Sequence, residues 1–215
     1  LSQIHLVLLV AGFLTLTGNF TFFEKTLLVY PLFENLFFLG SLFLFLFTFL
    51  AALLLLICYR KSIKPILILL LLTSSLVSYS SNNYGIVFDH NMITNTFETD
   101  TSEFFDLVNF KSILYFLVLG LLPSFIVLKV ELKKLTLSAQ FLQRLKYFIV
   151  LVVVFVVVVL SFSKHYTSFA RENRDLRLYI NPTYYLYSGA KFIDSKNATS
   201  AAPFKVIGLD AQINK

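Results

Sequence analysis

The 215-residue chain is 57% hydrophobic and 14% charged, with a mean hydropathy of +0.78, well above the ~45–50% apolar content of soluble globular domains. That balance argues against a water-soluble fold, and the formal charge of +6 does not point to nucleic acid, because the basic residues sit in small groups at the ends of apolar runs. Cys58 is the only cysteine, so neither an internal disulfide nor a cysteine-built zinc site is available.

The first predicted span covers Ile4 to Phe23, and it reads as a retained helix because no basic region precedes it and no small-residue cleavage site is evident. The second covers Leu36 to Tyr59. The third runs from Pro65 to Ser80, the fourth from Ser112 to Leu128 with a kink expected at Pro123, and the fifth from Tyr147 to Phe162 through the valines 152–159. Several of these runs approach or exceed the ~20 residues that cross a ~30 Å hydrocarbon layer. Backbone polar groups in hydrocarbon must bond within their own segment, so the runs are helices despite the β-branched content of the fifth. The fold class expected is an all-α integral membrane protein of five transmembrane helices, with short interfacial helices on its periplasmic side.

Orientation follows from charge. One set of connections holds Arg60, Lys61, Lys64, Lys129, Lys133, Lys134, Arg144 and Lys146 against the single acid Glu131. The other holds Lys25 and Lys111 beside Glu24, Glu34, Asp89, Glu98, Asp100, Glu103 and Asp106. The bias of basic residues toward the cytoplasm puts the first set inside, with the N-terminus. The segments near 24–35, 81–111 and 164–215 are then outside, and any chemistry is expected there. No ionisable residue falls mid-span, which argues against a proton relay or ion pathway.

The acid-bearing stretch from Asp89 to Val108 is longer than a simple connection needs. Asn91, Asn95, Thr99 and Glu103 recur every fourth residue, so a continuous helix lines them up on one stripe above Met92, Ile93, Phe97, Phe104 and Phe105. The plainer reading is a capping box, in which Asp100 opens a new helix and Glu103 reaches back to its N–H. Spacing does not decide between them. Downstream, Arg171, Arg174 and Arg177 are spaced for one face of an interfacial helix, where guanidinium groups suit lipid phosphate or simple anchoring to anionic lipid. Tyr184, Tyr185 and Tyr187 suit the headgroup zone. His5, His90 and His165 fall on opposite sides of the membrane in this topology, which excludes a three-histidine metal site. Asn19 heads an Asn-Phe-Thr triplet beside the membrane, and a glycosylation role for it is discounted.

The run Tyr84-Gly85-Ile86-Val87-Phe88-Asp89, followed by Met92-Ile93-Thr94-Asn95, Glu98-Thr99 and Glu103, resembles the loop after the third span of lipid A phosphoethanolamine transferases, the family of the colistin-resistance enzymes. The resemblance extends to Asn19-Phe20-Thr21-Phe22-Phe23, to Leu176-Arg177 with Ile180-Asn181-Pro182, and to Ile207-Gly208-Leu209-Asp210-Ala211, and so over essentially the whole chain. It implies that Asn95, Thr99 and Glu103 bind the phosphatidylethanolamine donor. It implies a Gram-negative inner-membrane enzyme that passes phosphoethanolamine through a threonine to a lipid A phosphate with the help of zinc.

In that family the nucleophile and the zinc ligands belong to a soluble periplasmic domain of the sulfatase-like class. The expected division is therefore a five-helix transmembrane domain over 1–164 with its outer loop 81–111, an interfacial helix and linker over 165–206, and over 207–215 the start of a linker into that domain, absent here. This polypeptide is expected to hold no catalytic residue and no metal ligand, and not to turn over alone. Its expected partners are membrane lipids, the donor, the lipid A acceptor and the missing domain, with no nucleic acid. A small inner-membrane permease and a purely structural anchor are the rival functions.

Overall fold

A computed structural model describes residues 1–98, 108–133 and 136–201. Its helices are α1 (Gln3–Gly18), α2 (Phe20–Val29), α3 (Leu32–Ile57), α4 (Ile63–Tyr84), α5 (His90–Glu98), α6 (Phe110–Lys129), α7 (Leu137–Ser161), α8 (Ser163–Glu172) and α9 (Thr183–Ala201). A 3-10 turn, Arg174–Tyr179, joins α8 to α9 through Ile180, Asn181 and Pro182. No strand occurs among the described residues. Four helices, α3, α4, α6 and α7, are long and apolar enough to cross a membrane, and the bent pair α1–α2, taken as one span, brings the number to five.

Helix α1 is the hub. Ile4, Val7, Ala11, Leu14, Thr15 and Gly18 recur at three- and four-residue steps and are all buried, because α3 packs on one side of α1 and α4 on the other. Helix α7 lies against α3 and α6 against α4, which gives the neighbour order α7–α3–α1–α4–α6. In the most apolar stretch of α3 and of α4, 44% of residues are buried, against 17% in α6 and 11% in α7, so the last two are the flanks. Val153, Val156, Val157 and Leu160 of α7 are exposed and left to face lipid. Where α4 and α6 meet, a Cβ added to Gly120 would lie 2.6 Å from Ser75 Oγ, so the contact depends on small residues.

The basic connections gather at one end of this row. Lys64 Nζ donates to Leu128 O at 2.7 Å, and Lys133 N–H donates to Leu1 O at 3.0 Å. At the other, acidic end a second apolar cluster forms from Phe22, Phe38, Leu39, Leu42, Leu46, Phe169 and Leu176, tying α2, α3, α8 and the 3-10 turn together. Phe22, Phe38 and Phe169 meet there with ring centroids about 6 Å apart, in the edge-to-face range.

Several boundaries differ from expectation. The first span is not one helix to Phe23. It turns by 56° at Asn19, whose side chain bonds backbone and competes with the helix ladder. Ahead of Pro123, residues Phe116–Leu121 adopt a π register, and Leu122 N–H bonds Leu117 O. The proline's missing N–H is thus absorbed within a continuous span. Helix α7 begins at Leu137, ten residues before the expected Tyr147, since Gln140, Gln143, Arg144 and Lys146 extend the helix into the interface instead of ending it.

Candidate functional site

At the acidic end, polar side chains do two different jobs. One set is buried. Asn19, 2% exposed, donates from Nδ2 to Asn181 O at 2.8 Å and accepts Asn181 N–H at Oδ1, also at 2.8 Å. Asn181 Nδ2 donates to Ser74 O at 3.1 Å and to Ser78 Oγ at 2.9 Å, and Ser78 Oγ donates to Gly18 O at 3.3 Å. Thr21 donates to Asn82 Oδ1, and Asn82 Nδ2 donates to Tyr115 OH at 2.9 Å. Tyr185 OH sits between Thr73 Oγ1 at 2.7 Å and Ser74 Oγ at 3.3 Å. Burial pushes its phenol above the ordinary value, which keeps it neutral. Tyr185 therefore anchors α9 to α4 and does not lie free among headgroups as the sequence suggested. This clamp holds the segment after the 3-10 turn against α1 and α4.

The other set is displayed. Asp89 Oδ1 accepts Met92 N–H at 2.8 Å and so opens α5. His90 Nε2 lies 2.9 Å from Ser195 Oγ, and its ring meets Phe192 at 5.9 Å, which docks α5 on α9. On α5 so held, Asn91, Asn95 and Thr96 are exposed. Of the three residues expected to bind the donor, Asn95 is on this helix, while Thr99 and Glu103 lie outside the described residues, as do Asp100 and the capping box it heads. In the sequence, His90 bears only on the exclusion of a three-histidine site, and nothing in its neighbourhood identifies a partner 105 residues away.

The arginine trio is not on one helix. Asn173, with φ −120° and ψ 49°, ends α8, leaving Arg171 in its last turn and Arg174 and Arg177 on the 3-10 turn. Arg171 pairs with Glu172 at 3.5 Å on the surface, a contact of small energetic weight. Arg174 and Arg177, one 3-10 turn apart, stay on a common edge and line a groove of about 290 Å³ with Leu42, Phe45 and Val159. That groove was not read from the sequence, because its walls come from α2, α3, α7 and α8. Among the described residues, no three His, Cys, Asp or Glu side chains gather where a metal ion could sit.

The fold and this end define a polytopic α-helical membrane domain with a built polar face at one end of its spans. A family model, phosphoethanolamine transferase EptA/EptB, matches residues 46–197. The phosphatidylethanolamine transferase Mcr-1 of Escherichia coli is 37% identical over 203 residues, covering 94% of this chain and 38% of that protein. Mcr-2 of Escherichia coli is 36% identical over 93% of this chain and 37% of its own length. Among solved structures, the integral membrane lipooligosaccharide phosphoethanolamine transferase A (EptA) from Neisseria meningitidis superposes with a TM-score of 0.84 at 25% identity, over 90% of this chain and 37% of that one. The chain belongs to the phosphoethanolamine transferase EptA/EptB family and corresponds to its membrane-embedded N-terminal part. It spans well under half the length of the relatives it matches.

Proposed function

We propose that the chain is the membrane domain of an inner-membrane phosphoethanolamine transferase that moves phosphoethanolamine from phosphatidylethanolamine to lipid A, the modification behind polymyxin and colistin resistance. Its work is to anchor a periplasmic catalytic domain and to bind the donor headgroup at the outer leaflet. The domain division follows: spans and outer loop over 1–164, an interfacial section over 165–206, and a linker from 207. The observation that carries the reading is α5, capped by Asp89 and docked on α9, with Asn95 exposed at the acidic end.

Donor recognition divides by charge. The Glu103 carboxylate pairs with the ethanolamine ammonium, while the Asn95 amide and the Thr99 hydroxyl donate to phosphate oxygens. Arg171, Arg174 and Arg177 belong to the same lipid-facing end and favour anionic lipid phosphate. A threonine oxygen of the catalytic domain then attacks phosphorus, diacylglycerol leaves as the alcohol, and an oxygen of the lipid A phosphate displaces the threonine. Zinc supplies Lewis-acid chemistry in that domain, and the described residues of this chain offer it no ligand set.

The test is transfer by the longer enzyme. Glu103→Ala is expected to lower transfer about a hundredfold while membrane insertion stays normal. Full activity in that variant overturns donor binding by the loop and leaves a purely structural anchor.

A further inference from the structure

Transfer from one lipid to another needs two amphiphiles at the same end of the bundle, and α5 accounts for one. The groove bounded by α3, α7 and α8 is the candidate for the second, an inference that rests on the transferase reading. Its volume, about 290 Å³, is at the lower edge of the ~300–1,000 Å³ found for ligand pockets. The walls at Phe22, Leu42, Phe45, Leu46 and Val159 are apolar, and the Tyr166 hydroxyl beside them is taken up by Ser41, so an acyl chain in the groove would lie against hydrocarbon and aromatic rings.

At one end of the groove the lining changes character. Asn173, Arg174 and Arg177 follow in sequence order, and Asn173 Nδ2 is buried without a hydrogen-bond partner among the described residues. Both arginines are exposed, and neither makes an ion pair with a described acid. Glu172, the nearest acid in sequence on α8, is already engaged by Arg171 and by Ser168 Oγ at 2.9 Å. Asp175 is exposed on the turn itself. The side chains facing the groove at this end are therefore donors and cations, next to a wall of hydrocarbon.

That polarity separates the two lipids. A phosphatidylethanolamine headgroup carries one positive and one negative charge and suits a site with a carboxylate, such as Glu103. A phosphate-bearing acceptor carries negative charge that nothing in its own headgroup balances, and it suits paired guanidinium groups. The turn also points two ways. Leu178 and Tyr179 line a small cavity together with Phe88, just before α5, whereas Arg174 and Arg177 line the groove. We propose that the groove seats the acceptor lipid, with one acyl chain between α3 and α7 and a headgroup phosphate held by Arg174 and Arg177, across the 3-10 turn from the donor on α5. Arg171, on the last turn of α8, does not line the groove.

The probe is lipid A itself. The chain is placed in phosphatidylcholine nanodiscs, titrated with lipid A or with phosphatidylethanolamine, and assayed for retained lipid by native mass spectrometry. The double variant Arg174→Gln/Arg177→Gln is expected to lower lipid A retention about tenfold or more, as for the loss of charged hydrogen bonds, and to leave phosphatidylethanolamine retention unchanged. Leu46→Trp fills the apolar part of the groove while both arginines are kept and is expected to do the same, while Arg174→Lys/Arg177→Lys keeps the charge and most of the retention. Should one variant fail to fold, the other decides. Undiminished lipid A retention in a folded glutamine pair or a folded Leu46→Trp overturns the proposal, as does an equal loss of both lipids. The donor reading fails separately, by transfer that survives Glu103→Ala, and that result leaves the retention measurement standing.

Discussion

Asn19 and Asn95 carry the same side chain at the same end of the bundle, and the fold uses them in opposite ways. Asn19 is buried, closes hydrogen bonds with the backbone of Asn181, and marks the 56° turn between α1 and α2. Asn95 is exposed on a short helix that is itself held in place from one side, by His90 against Ser195 on α9. A polar group enclosed by protein at membrane depth must be satisfied there, so it becomes architecture. One displayed at the surface of a docked helix is within reach of solvent and of the membrane boundary. The clamp also positions the display, because the same Ile180–Pro182 segment that Asn19 grips leads directly into α9.

This contrast can be broken in graded steps. Asn19→Ala strips partners from both the N–H and the C=O of Asn181 and is expected to cost about 2–5 kcal/mol, seen as a lowered unfolding midpoint in detergent. Gly120→Ala drives a Cβ to 2.6 Å from Ser75 Oγ and 3.3 Å from Ser75 Cβ. It is expected to cost about 1–3 kcal/mol by overpacking, and Ser75→Ala should recover part of that loss in the double variant. His90→Ala removes the bond to Ser195 and should lower global stability by only about 0.5–1.5 kcal/mol. Its clearer signature is faster hydrogen exchange in α5, with α4 unchanged. Asn95→Ala should leave the unfolding midpoint within about 0.5 kcal/mol of wild type while reducing transfer by the longer enzyme. A large stability loss at Asn95, or none at Asn19, would erase the distinction between the two regions.

The five spans were legible because a run of Leu, Phe and Val long enough to cross a bilayer allows little else. Their interruptions were not. Thr17, Gly18 and Asn19 make only a short polar dip between Leu16 and Phe20, so the hydropathy of the first run shows no clear break, and one partner of Asn19 at the turn, Asn181, is 162 residues away. Three-residue spacing made Arg171, Arg174 and Arg177 look like one helical face, and that spacing fits a 3-10 turn equally well. The stop at Asn173 that separates Arg171 from the other two is a backbone event. Arg144 was legible as a basic residue of one end, but not as a buried one. It donates to Leu55 O at 3.1 Å and to Cys58 O, closing the last turn of α3 from a neighbouring helix. The helix bearing Asn95 was foreshadowed by fourfold spacing, whereas its support, α9, was hidden because His90 and Ser195 have no shared pattern.

The proposed donor site, the proposed acceptor groove and a proposed periplasmic catalytic domain all require that the acidic end face the periplasm. Labelling with a membrane-impermeant maleimide tests this directly, with Asn95→Cys introduced in a Cys58→Ser background and Lys61→Cys as the control for the basic end. Asn95→Cys is expected to label in intact spheroplasts and Lys61→Cys only after lysis. The reverse pattern, with position 95 protected until the membrane is broken, would contradict the assignment.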